Sequence, residues 1–232
     1  MTLKLYELVG AGDRRFSPYC WRARMALAHK QLVAEFIPCK FTDKELIAFS
    51  GQTKVPVLVD GEDVISDSWA IACHLENKYR ERPSLFGGGY GRPLTKFFNS
   101  WVDSEINAAL IRMVARDIYD CVHPHDRDYF RSTREARFGC SLEQAQAERP
   151  VYMERLRQVL APVRTLLEGQ PYLCGESPAY ADYVLFGTFQ WVRCASPLEV
   201  LEATDPLYSW RERLLNAFDA MARRHSRLAR AA

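Results

Sequence analysis

Residues 55–68 read VPVLVDGEDVISDS, and no other segment says as much about how the chain folds. Two apolar runs flank Asp60-Gly61 as two strands flank a hairpin turn. Pro56 has no amide hydrogen to give to a sheet ladder, so it belongs at the entry of the first strand. The bond before it can be cis there, although an ordinary strand entry is the simpler interpretation. Asp67-Ser68 then supplies common capping residues, and the segment predicts strand, turn, strand and helix.

The residues before this segment predict strand, helix and strand. Residues 3–6 alternate apolar and polar side chains, as a strand does. Ser17-Pro18 has the pattern of an N-cap followed by proline at the first helical position. Residues 34–38 can form a second strand, and residues 42–45 have the capping-box spacing of a short helix. The first part of the chain is therefore predicted as βαβ, a short helix, and ββα.

A change of character follows near residue 83. Residues 81–93 hold two prolines and four glycines, which predicts a domain boundary there. We place the first domain at residues 1–82, a linker at 83–93 and an all-helical domain at 94–232. Apolar residues recur at helical spacing after the linker, in runs that begin near Leu94, Leu156 and Trp210.

The composition excludes several classes of protein. Lys and Arg number 31 and Asp and Glu 29, so the net charge is +2, without the basic excess of a protein that binds phosphates. We therefore expect no nucleic-acid partner. Seven cysteines without a Cys-x-x-Cys pair disfavour a disulfide framework and a structural zinc site. No run approaches ~18 apolar residues, so we expect no membrane span and a cytoplasmic protein.

Two predicted helix starts are candidate positions for chemistry. Ser17-Pro18-Tyr19-Cys20 stands where unpaired amides and the helix dipole favour an anion or a thiolate. Plain capping by Ser17 is the simpler interpretation. Asp67-Ser68 has the same ambiguity, because both residues cap helices and can also bind the head group of an α-amino acid. Neither signal decides its own role.

The combination of these features resembles the glutathione transferase family over essentially the whole chain. It consists of the β-α-β-α-β-β-α order, the Ser-Pro-x-Cys helix start, Val55-Pro56 and Asp67-Ser68, followed by helices. Ala181-Asp182 is similar to the family's helix start in the second domain, although Ala179 stands where the family usually has Ser or Thr. Ser177 or Asp182 can cap that helix instead. The resemblance implies an α/β thioredoxin-like first domain and an all-α second domain.

Within the family, residues 16–22 and 26–30 with Asp67-Ser68-Trp69 are most similar to bacterial β-aryl etherases and their fungal etherase-like relatives. That group implies attack of the glutathione thiolate on an aryl ether or similar electrophile. The zeta class, home of maleylacetoacetate isomerases, is next, but it typically has Ser-Ser-Cys where this chain has Pro18 after the serine. A zeta-like isomerase and a non-catalytic carrier of glutathione and hydrophobic aromatic ligands are the alternatives.

The resemblance also implies roles for residues along the edge of the first domain, with glutathione as co-substrate. Val55 would pair its backbone with the cysteinyl unit of glutathione. Asp67 and Ser68 would hold the γ-glutamyl end. Lys54 and Lys40 would face the glycine carboxylate.

Ser17 is the implied activating residue, donating its hydroxyl hydrogen bond to the glutathione sulfur. Glutaredoxin-like proteins carry an attacking cysteine at this position, and a serine cannot form the mixed disulfide that exchange requires. Cys20 is therefore left without a partner, and thiol oxidoreduction is disfavoured. Tyr6 is a rival activator, because other transferase classes use a tyrosine at the end of the first strand. A tyrosine in a strand is otherwise an ordinary core residue.

The acceptor is implied to bind between the start of the first helix and the second domain. Aromatic and apolar residues among Tyr19, Trp21 and residues 112–138 are the candidates for its pocket, and a core or surface position is the simpler interpretation for most of them. The charged residues of 112–138 predict a solvated face or loop, with a lid as the alternative. His123-Pro124-His125 predicts an exposed loop and no metal site. The family usually forms homodimers, so the resemblance also implies a homodimer. The arginines near the end of the chain predict a solvated helix and tail. They are Arg211, Arg213, Arg223, Arg224, Arg227 and Arg230.

Overall fold

The computed structural model describes residues 2–225, and its first part is built on a four-stranded sheet in the order β2-β1-β3-β4. The strands are β1 (Leu3–Leu8), β2 (Ala34–Cys39), β3 (Val57–Asp60) and β4 (Asp63–Ser66). β1 pairs with β2 in parallel, and β3 lies antiparallel to both β1 and β4. The predicted hairpin at residues 57–66 is confirmed.

Two helices complete this domain, α1 (Pro18–His29) and α2 (Ser68–Lys78). α1 connects the parallel strands, and α2 follows β4 directly. The Val55–Pro56 peptide bond is cis, and β3 begins one residue later. The predicted α/β thioredoxin-like fold is confirmed.

The predicted short helix at residues 42–45 forms differently. A 3-10 helix runs from Glu45 to Ser50, and no side chain caps it. The hydroxyl of Thr42 instead donates a hydrogen bond to the Asp126 carboxylate of the second part, 2.6 Å away. The capping-box prediction at residues 42–45 is wrong because a distant acceptor takes the Thr42 side chain.

Eight helices make up the second part of the chain described here. They are α3 (Gly91–Trp101), α4 (Asn107–Cys121), α5 (Arg127–Phe138), α6 (Leu142–Ala147), α7 (Arg149–Val159), α8 (Ala161–Gly169), α9 (Tyr180–Ala195) and α10 (Pro206–Arg224). A π-helical segment, Val102–Ile106, joins α3 to α4, and α10 is interrupted at residues 217–220. The predicted all-α second domain is confirmed.

α9 is the central helix of this part and lies against α1. Gly187 makes the contact possible, because a β-carbon there would stand 2.5 Å from the Pro18 carbonyl oxygen. The start of α1 is therefore held directly against the second domain.

The start of α9 is stabilised by Asp182, one of the two residues, with Ser177, that the sequence offered in place of a capping residue at position 179. The carboxylate accepts hydrogen bonds from the amides of Ala179 (3.1 Å) and Leu173 (2.7 Å) and from the Trp210 indole (2.8 Å). Burial raises the pKa of this carboxyl group. Asp182 thus joins three segments of the helical part.

Some surface predictions need correction. Arg211 is only 5% exposed, and it donates a hydrogen bond to the Glu199 carboxylate at 2.7 Å. It is therefore a buried residue of α10 and not part of a solvated face. Arg227 and Arg230 lie outside the described residues. The helix predicted from the spacing of Leu94 and Phe97 forms as α3. These two apolar side chains are nevertheless 67% and 71% exposed. No helix within residues 2–225 is both long and apolar enough to cross a membrane.

Candidate active site

A cavity of about 370 Å³ lies between the two parts of the chain, at the start of α1. Four of the six residues implied for the glutathione site line it, namely Ser17, Lys40, Lys54 and Val55. α4 and α5 of the helical part supply the facing wall. The family resemblance implies an acceptor site between the start of α1 and the second domain, and the cavity lies in that region.

Ser17 is the N-cap of α1 and is 6% exposed. Its hydroxyl oxygen accepts a hydrogen bond from the Cys20 amide at 3.3 Å, as a capping serine does. A hydroxyl has one hydrogen to donate in addition to the lone pairs with which it accepts. Ser17 can therefore cap the helix and still donate to an anion in the cavity.

Cys20 lies one turn further along α1 and does not line the cavity. It is 3% exposed, and its sulfur accepts a hydrogen bond from the Leu8 amide at 3.4 Å. Burial raises the pKa of the Cys20 thiol to about 12, so the group stays protonated near neutral pH. Such a thiol is a packing group and not a nucleophile.

Tyr6 and Trp21, two other candidates, lie elsewhere. The Tyr6 ring packs against Phe49, with ring centroids 5.2 Å apart, and is not among the residues that line the cavity. Trp21 is 1% exposed and donates its indole hydrogen to the Arg15 carbonyl at 2.9 Å. Trp21 is thus a core residue and does not line the cavity.

Val55 enters the cavity at the edge of the sheet. The register of β3 begins at Val57, so the sheet ladders do not use the backbone groups of Val55. Lys54 is exposed beside it, and Lys40 follows β2 on the same side. None of the ion pairs among residues 2–225 involves either lysine. Both ammonium groups are thus available to an anionic ligand.

Asp67 and Ser68, the other two residues implied for the glutathione site, do not line the cavity. The amide of Asp67 donates to the Pro56 carbonyl at 3.3 Å, which ties it to the cis peptide. Its carboxylate caps α2 by accepting from the amides of Trp69 and Ala70. Asp67 has φ of 81°, a sparsely populated conformation for a residue with a side chain. Ser68 is 2% exposed, and its carbonyl accepts from the Tyr180 hydroxyl.

A buried polar network, not predicted from the sequence, forms one side of the cavity. Arg22 is fully buried and donates to Asp103 of the π-helical segment at 2.8 Å. Asn107 donates to the same carboxylate at 2.9 Å. The Arg22 guanidinium also lies 4.8 Å from the centroid of the Tyr19 ring. Burial, followed by the charge of Asp103, raises the pKa of the Tyr19 hydroxyl, which keeps it a hydrogen-bond donor.

Asp126, predicted within a solvated face or loop, is fully buried. Its carboxylate accepts hydrogen bonds from the amides of Phe41 (3.0 Å) and Thr42 (3.1 Å) and from the Thr42 hydroxyl. The loop that carries Lys40 is thereby fastened to the helical part. In the sequence, Asp126 is an aspartate just before a helix, which is also the pattern of a capping residue. Its contact with the loop after β2 could therefore not be predicted from the sequence.

The rest of the 112–138 segment is mixed. Phe130 is buried and Arg134 half-buried, and both line the cavity with Tyr129. His123 and His125 lie in the turn before α5, where the His123 ring accepts from the His125 amide at 3.3 Å. Part of this segment is therefore a cavity wall and part of it a surface turn.

Three side chains could together bind a metal ion, namely Asp60, Asp63 and His74. Their potential ligand atoms lie within 4.8 Å of one another. The ammonium of Lys78 already lies 3.0 Å from Asp60 and 2.8 Å from Asp63. Although burial opposes it, hydrogen bonds from His74, Lys78 and Tyr79 hold the pKa of Asp60 below its usual range. Lys78 thus already pairs with both carboxylates of this cluster, whose residues do not line the cavity.

The fold and the cavity define a two-domain protein with a thioredoxin-like domain, an all-helical domain and a capping serine where the two meet. Two family models match this chain. The model of the glutathione S-transferase N-terminal domain matches residues 13–83, and that of the C-terminal domain matches residues 93–219. The chain belongs to the glutathione S-transferase family.

Curated relatives agree with this assignment. A glutathione S-transferase of the zeta class from Euphorbia esula is 46% identical over 90 residues, which cover 36% of each chain. Glutathione S-transferase 4 from Zea mays is 27% identical over 199 residues, 84% of this chain and 82% of the relative. The chain spans 36–45% of the length of the Euphorbia esula relative and of glutathione S-transferases Z2 and Z1 from Arabidopsis thaliana.

Solved structures show the same fold. Glutathione transferase GSTFuA3 from Phanerochaete chrysosporium is 22% identical and has a TM-score of 0.84 over 95% of this chain and 97% of its own. The glutathione S-transferase CsGST63524 of Ceriporiopsis subvermispora, solved in complex with glutathione, is 22% identical and has a TM-score of 0.82 over the full length of both chains.

Proposed function

We propose that this chain is a glutathione transferase in which Ser17 stabilises the glutathione thiolate for attack on an aromatic or ether electrophile. The observation that carries the proposal is the position of Ser17, buried at the N-cap of α1 and on the wall of the cavity. The thiol of Cys20, which thiol exchange at that helix start would require, does not line the cavity, and burial raises its pKa.

The energy required is within reach of the groups present. Lowering the pKa of a thiol from about 8.5 by about two units takes ~2.7 kcal/mol of thiolate stabilisation. A hydrogen bond to a charged atom contributes ~1.5–3 kcal/mol, and a helix N-terminus ~0.3–1 kcal/mol. The Ser17 hydroxyl and the start of α1 together supply about this amount.

The ligand would extend along the edge of the first domain. The cysteinyl unit pairs with the free backbone groups of Val55, and the sulfur lies at Ser17. The glycine carboxylate faces Lys54 and Lys40, and the γ-glutamyl end reaches Asp67 and Ser68. The φ of Asp67 supports this placement, because strained residues persist where the surrounding structure holds them and are frequent at ligand sites.

In the etherase-like reaction, the thiolate forms a carbon–sulfur bond and the carbon–oxygen bond of the ether breaks. The aryl oxygen leaves as a phenolate, which takes a proton from water. The similarity of residues 16–22, 26–30 and Asp67-Ser68-Trp69 to the etherase-like group supports this chemistry. The aromatic side chains of the cavity wall, Tyr19, Phe41, Tyr129 and Phe130, suit an aryl acceptor.

Glutathione-dependent isomerisation is the second candidate. It is favoured by the 46% identity to the zeta-class relative over 90 residues. The same cavity also suits a non-catalytic carrier, which would need the binding residues but not an activating serine. We further propose a homodimer, because Tyr90, Leu94 and Phe97 leave one face of α3 apolar and exposed. We propose a cytoplasmic location because the seven cysteines are free, as in a reducing compartment.

Turnover of a substrate panel with glutathione separates these functions. The panel holds aryl ethers, halogenated aromatics and maleylacetoacetate, and the products are identified by mass spectrometry. We expect glutathione thioethers and released phenols from the aryl ethers. Isomerised maleylacetoacetate without other turnover would support the zeta-like function. Binding of glutathione and of the aryl ethers without any product would support the carrier.

A further inference from the structure

The cavity has more positive charge than glutathione accounts for. Five cationic side chains line it, namely Lys40, Lys44, Lys54, Arg134 and Arg137. The carboxylates that line it are Asp43 and Asp103, and Asp103 is paired with the buried Arg22. The proposed glutathione site uses Lys54 and Lys40. Lys44 and the two arginines of α5 are left without an assigned anion, and the Lys44 ammonium donates to the Thr53 carbonyl at 2.7 Å.

Arg134 is the more enclosed of the two arginines. Its guanidinium carbon lies 4.5 Å from the centroid of the Phe130 ring and 5.1 Å from that of Phe41. It donates a hydrogen bond to the hydroxyl of Thr133 at 2.8 Å. No carboxylate among residues 2–225 forms an ion pair with it. An arginine in a protein stays charged, so this is a partly desolvated cation without a counterion.

The neighbouring Arg131 shows how different this arrangement is. Arg131 is on the same helix and forms ion pairs with Glu135 at 2.7 Å and with Glu143 at 2.9 Å. Arg134 instead lines the cavity, with the rings of Phe130 and Phe41 beside its guanidinium. Contact with the two rings holds the guanidinium at the cavity wall before a ligand arrives.

Arg134 also lies on the side of the cavity where an acceptor would bind. It belongs to the helical wall, whereas Ser17, Lys54 and Val55 belong to the first domain. Tyr129 lies on α5 near it, and Tyr19 lies close to Ser17. A planar guanidinium pairs with a carboxylate through two parallel hydrogen bonds, and aromatic side chains suit an aryl ring.

We propose that the acceptor site takes an aromatic carboxylic acid, whose carboxylate pairs with Arg134 while its ring packs among the aromatic side chains of the cavity. The proposal rests on the transferase function proposed above for the location of glutathione. It names the acceptor class for that site, and it assigns Arg134 as the residue that selects an acid over a neutral analogue.

The test compares a matched pair of ligands, cinnamate and cinnamamide, by calorimetry in the presence of saturating S-methylglutathione. The two ligands have nearly the same shape and differ in charge. We expect cinnamate to bind at least about tenfold more tightly than cinnamamide to the parent protein. Arg134→Met should remove this preference while leaving the affinity for cinnamamide within about threefold. Arg137→Met, on the exposed side, should have a smaller effect.

Arg155→Met is the control, since it also removes one positive charge from the helical part but lies outside the cavity, paired with Glu105. It should leave the preference intact. Equal affinities of the two ligands for the parent protein would overturn the proposal, as would a preference that survives in Arg134→Met. Competition between cinnamate and S-methylglutathione would also overturn it, by showing that the arginine serves glutathione. Because binding is measured without turnover, these outcomes are separate from any failure of Ser17 as activator.

Discussion

Ser17 has two roles that its position makes compatible. The hydroxyl oxygen accepts from the Cys20 amide, and the hydroxyl hydrogen can be donated to a sulfur in the cavity. The sequence predicted the cap from Ser17-Pro18 alone. It could not place the residue on a cavity wall, because that wall depends on α4 and α5, more than eighty residues away in the chain.

Asp67 provides the most direct test of the glutathione position. Asp67→Asn keeps a side-chain oxygen that can cap α2, removes the negative charge and replaces the other carboxylate oxygen with an amide NH2 that donates. We expect glutathione affinity to fall by about 1.5–3 kcal/mol, the range for hydrogen bonds to charged groups. Isothermal calorimetry gives this value, with Glu62→Gln, in the exposed hairpin turn, as control. Unchanged affinity would remove Asp67 from the site.

Cys20 tests the exclusion of thiol chemistry. Its sulfur is buried against the Leu8 amide with its pKa raised, so Cys20→Ala should leave transferase turnover within a few-fold of the parent. Some loss of stability is expected from the small cavity, about 1 kcal/mol. Steady-state kinetics and thermal unfolding give the two values. A loss of turnover on the order of a hundredfold, about 2.7 kcal/mol in barrier, would mean that the thiol takes part in the reaction.

Among the elements, the strands and helices of the first domain were the most predictable. The hairpin at Asp60-Gly61 and the capped starts of α1 and α2 depend on residues adjacent in the chain, and local sequence reports them. The loop after β2 was not predictable in the same way. Its conformation depends on Asp126, which is distant in the chain. The capping-box pattern of residues 42–45 therefore predicted a helix start that does not form there.

Asp126 should accordingly control both stability and binding. Asp126→Asn replaces an acceptor with a group that also carries donors, facing the amides of Phe41 and Thr42. We expect the free energy of unfolding to fall by about 2–4 kcal/mol, and glutathione affinity to weaken because the loop carrying Lys40 is released. Denaturant unfolding and calorimetry measure the two effects.

Asp128→Asn is the matched control for Asp126, since Asp128 is two residues further on and exposed. It should change neither quantity. If Asp126→Asn were as stable as the parent, the buried carboxylate would not be what fastens the loop to the helical part.

For the protein as a unit, the decisive feature is the contact between its two parts. Gly187 lets α9 approach the start of α1, and Arg22 reaches Asp103 across the same boundary. The local sequence around Gly187 and Arg22 does not predict that either residue contacts the other domain. A glycine within a helix and an arginine within a helix both occur without such a contact. The family resemblance predicted that the two domains enclose a site, and the residue patterns alone did not.

The exposed apolar face of α3 should mediate the proposed dimer. Tyr90, Leu94 and Phe97 are spaced as one side of a helix and are 87%, 67% and 71% exposed. Phe97→Asp would bury a charge in a contact between two copies, so we expect sedimentation to show a shift from dimer to monomer. Val33→Asp, at an exposed apolar position after α1, is the control. A parent protein that sediments as a monomer would contradict the proposal.

The thiol pKa of bound glutathione, followed by ultraviolet titration of the thiolate, tests most directly whether Ser17 activates it. We expect a depressed pKa in the parent protein and a rise of one unit or more in Ser17→Ala, since one unit corresponds to about 1.4 kcal/mol of lost thiolate stabilisation. Turnover should fall with it, and Tyr6→Phe should leave the pKa unchanged. An unchanged pKa in Ser17→Ala with a raised one in Tyr6→Phe would contradict the account and transfer the role to Tyr6. Absence of a thiolate near neutral pH in the parent would contradict it in favour of a carrier.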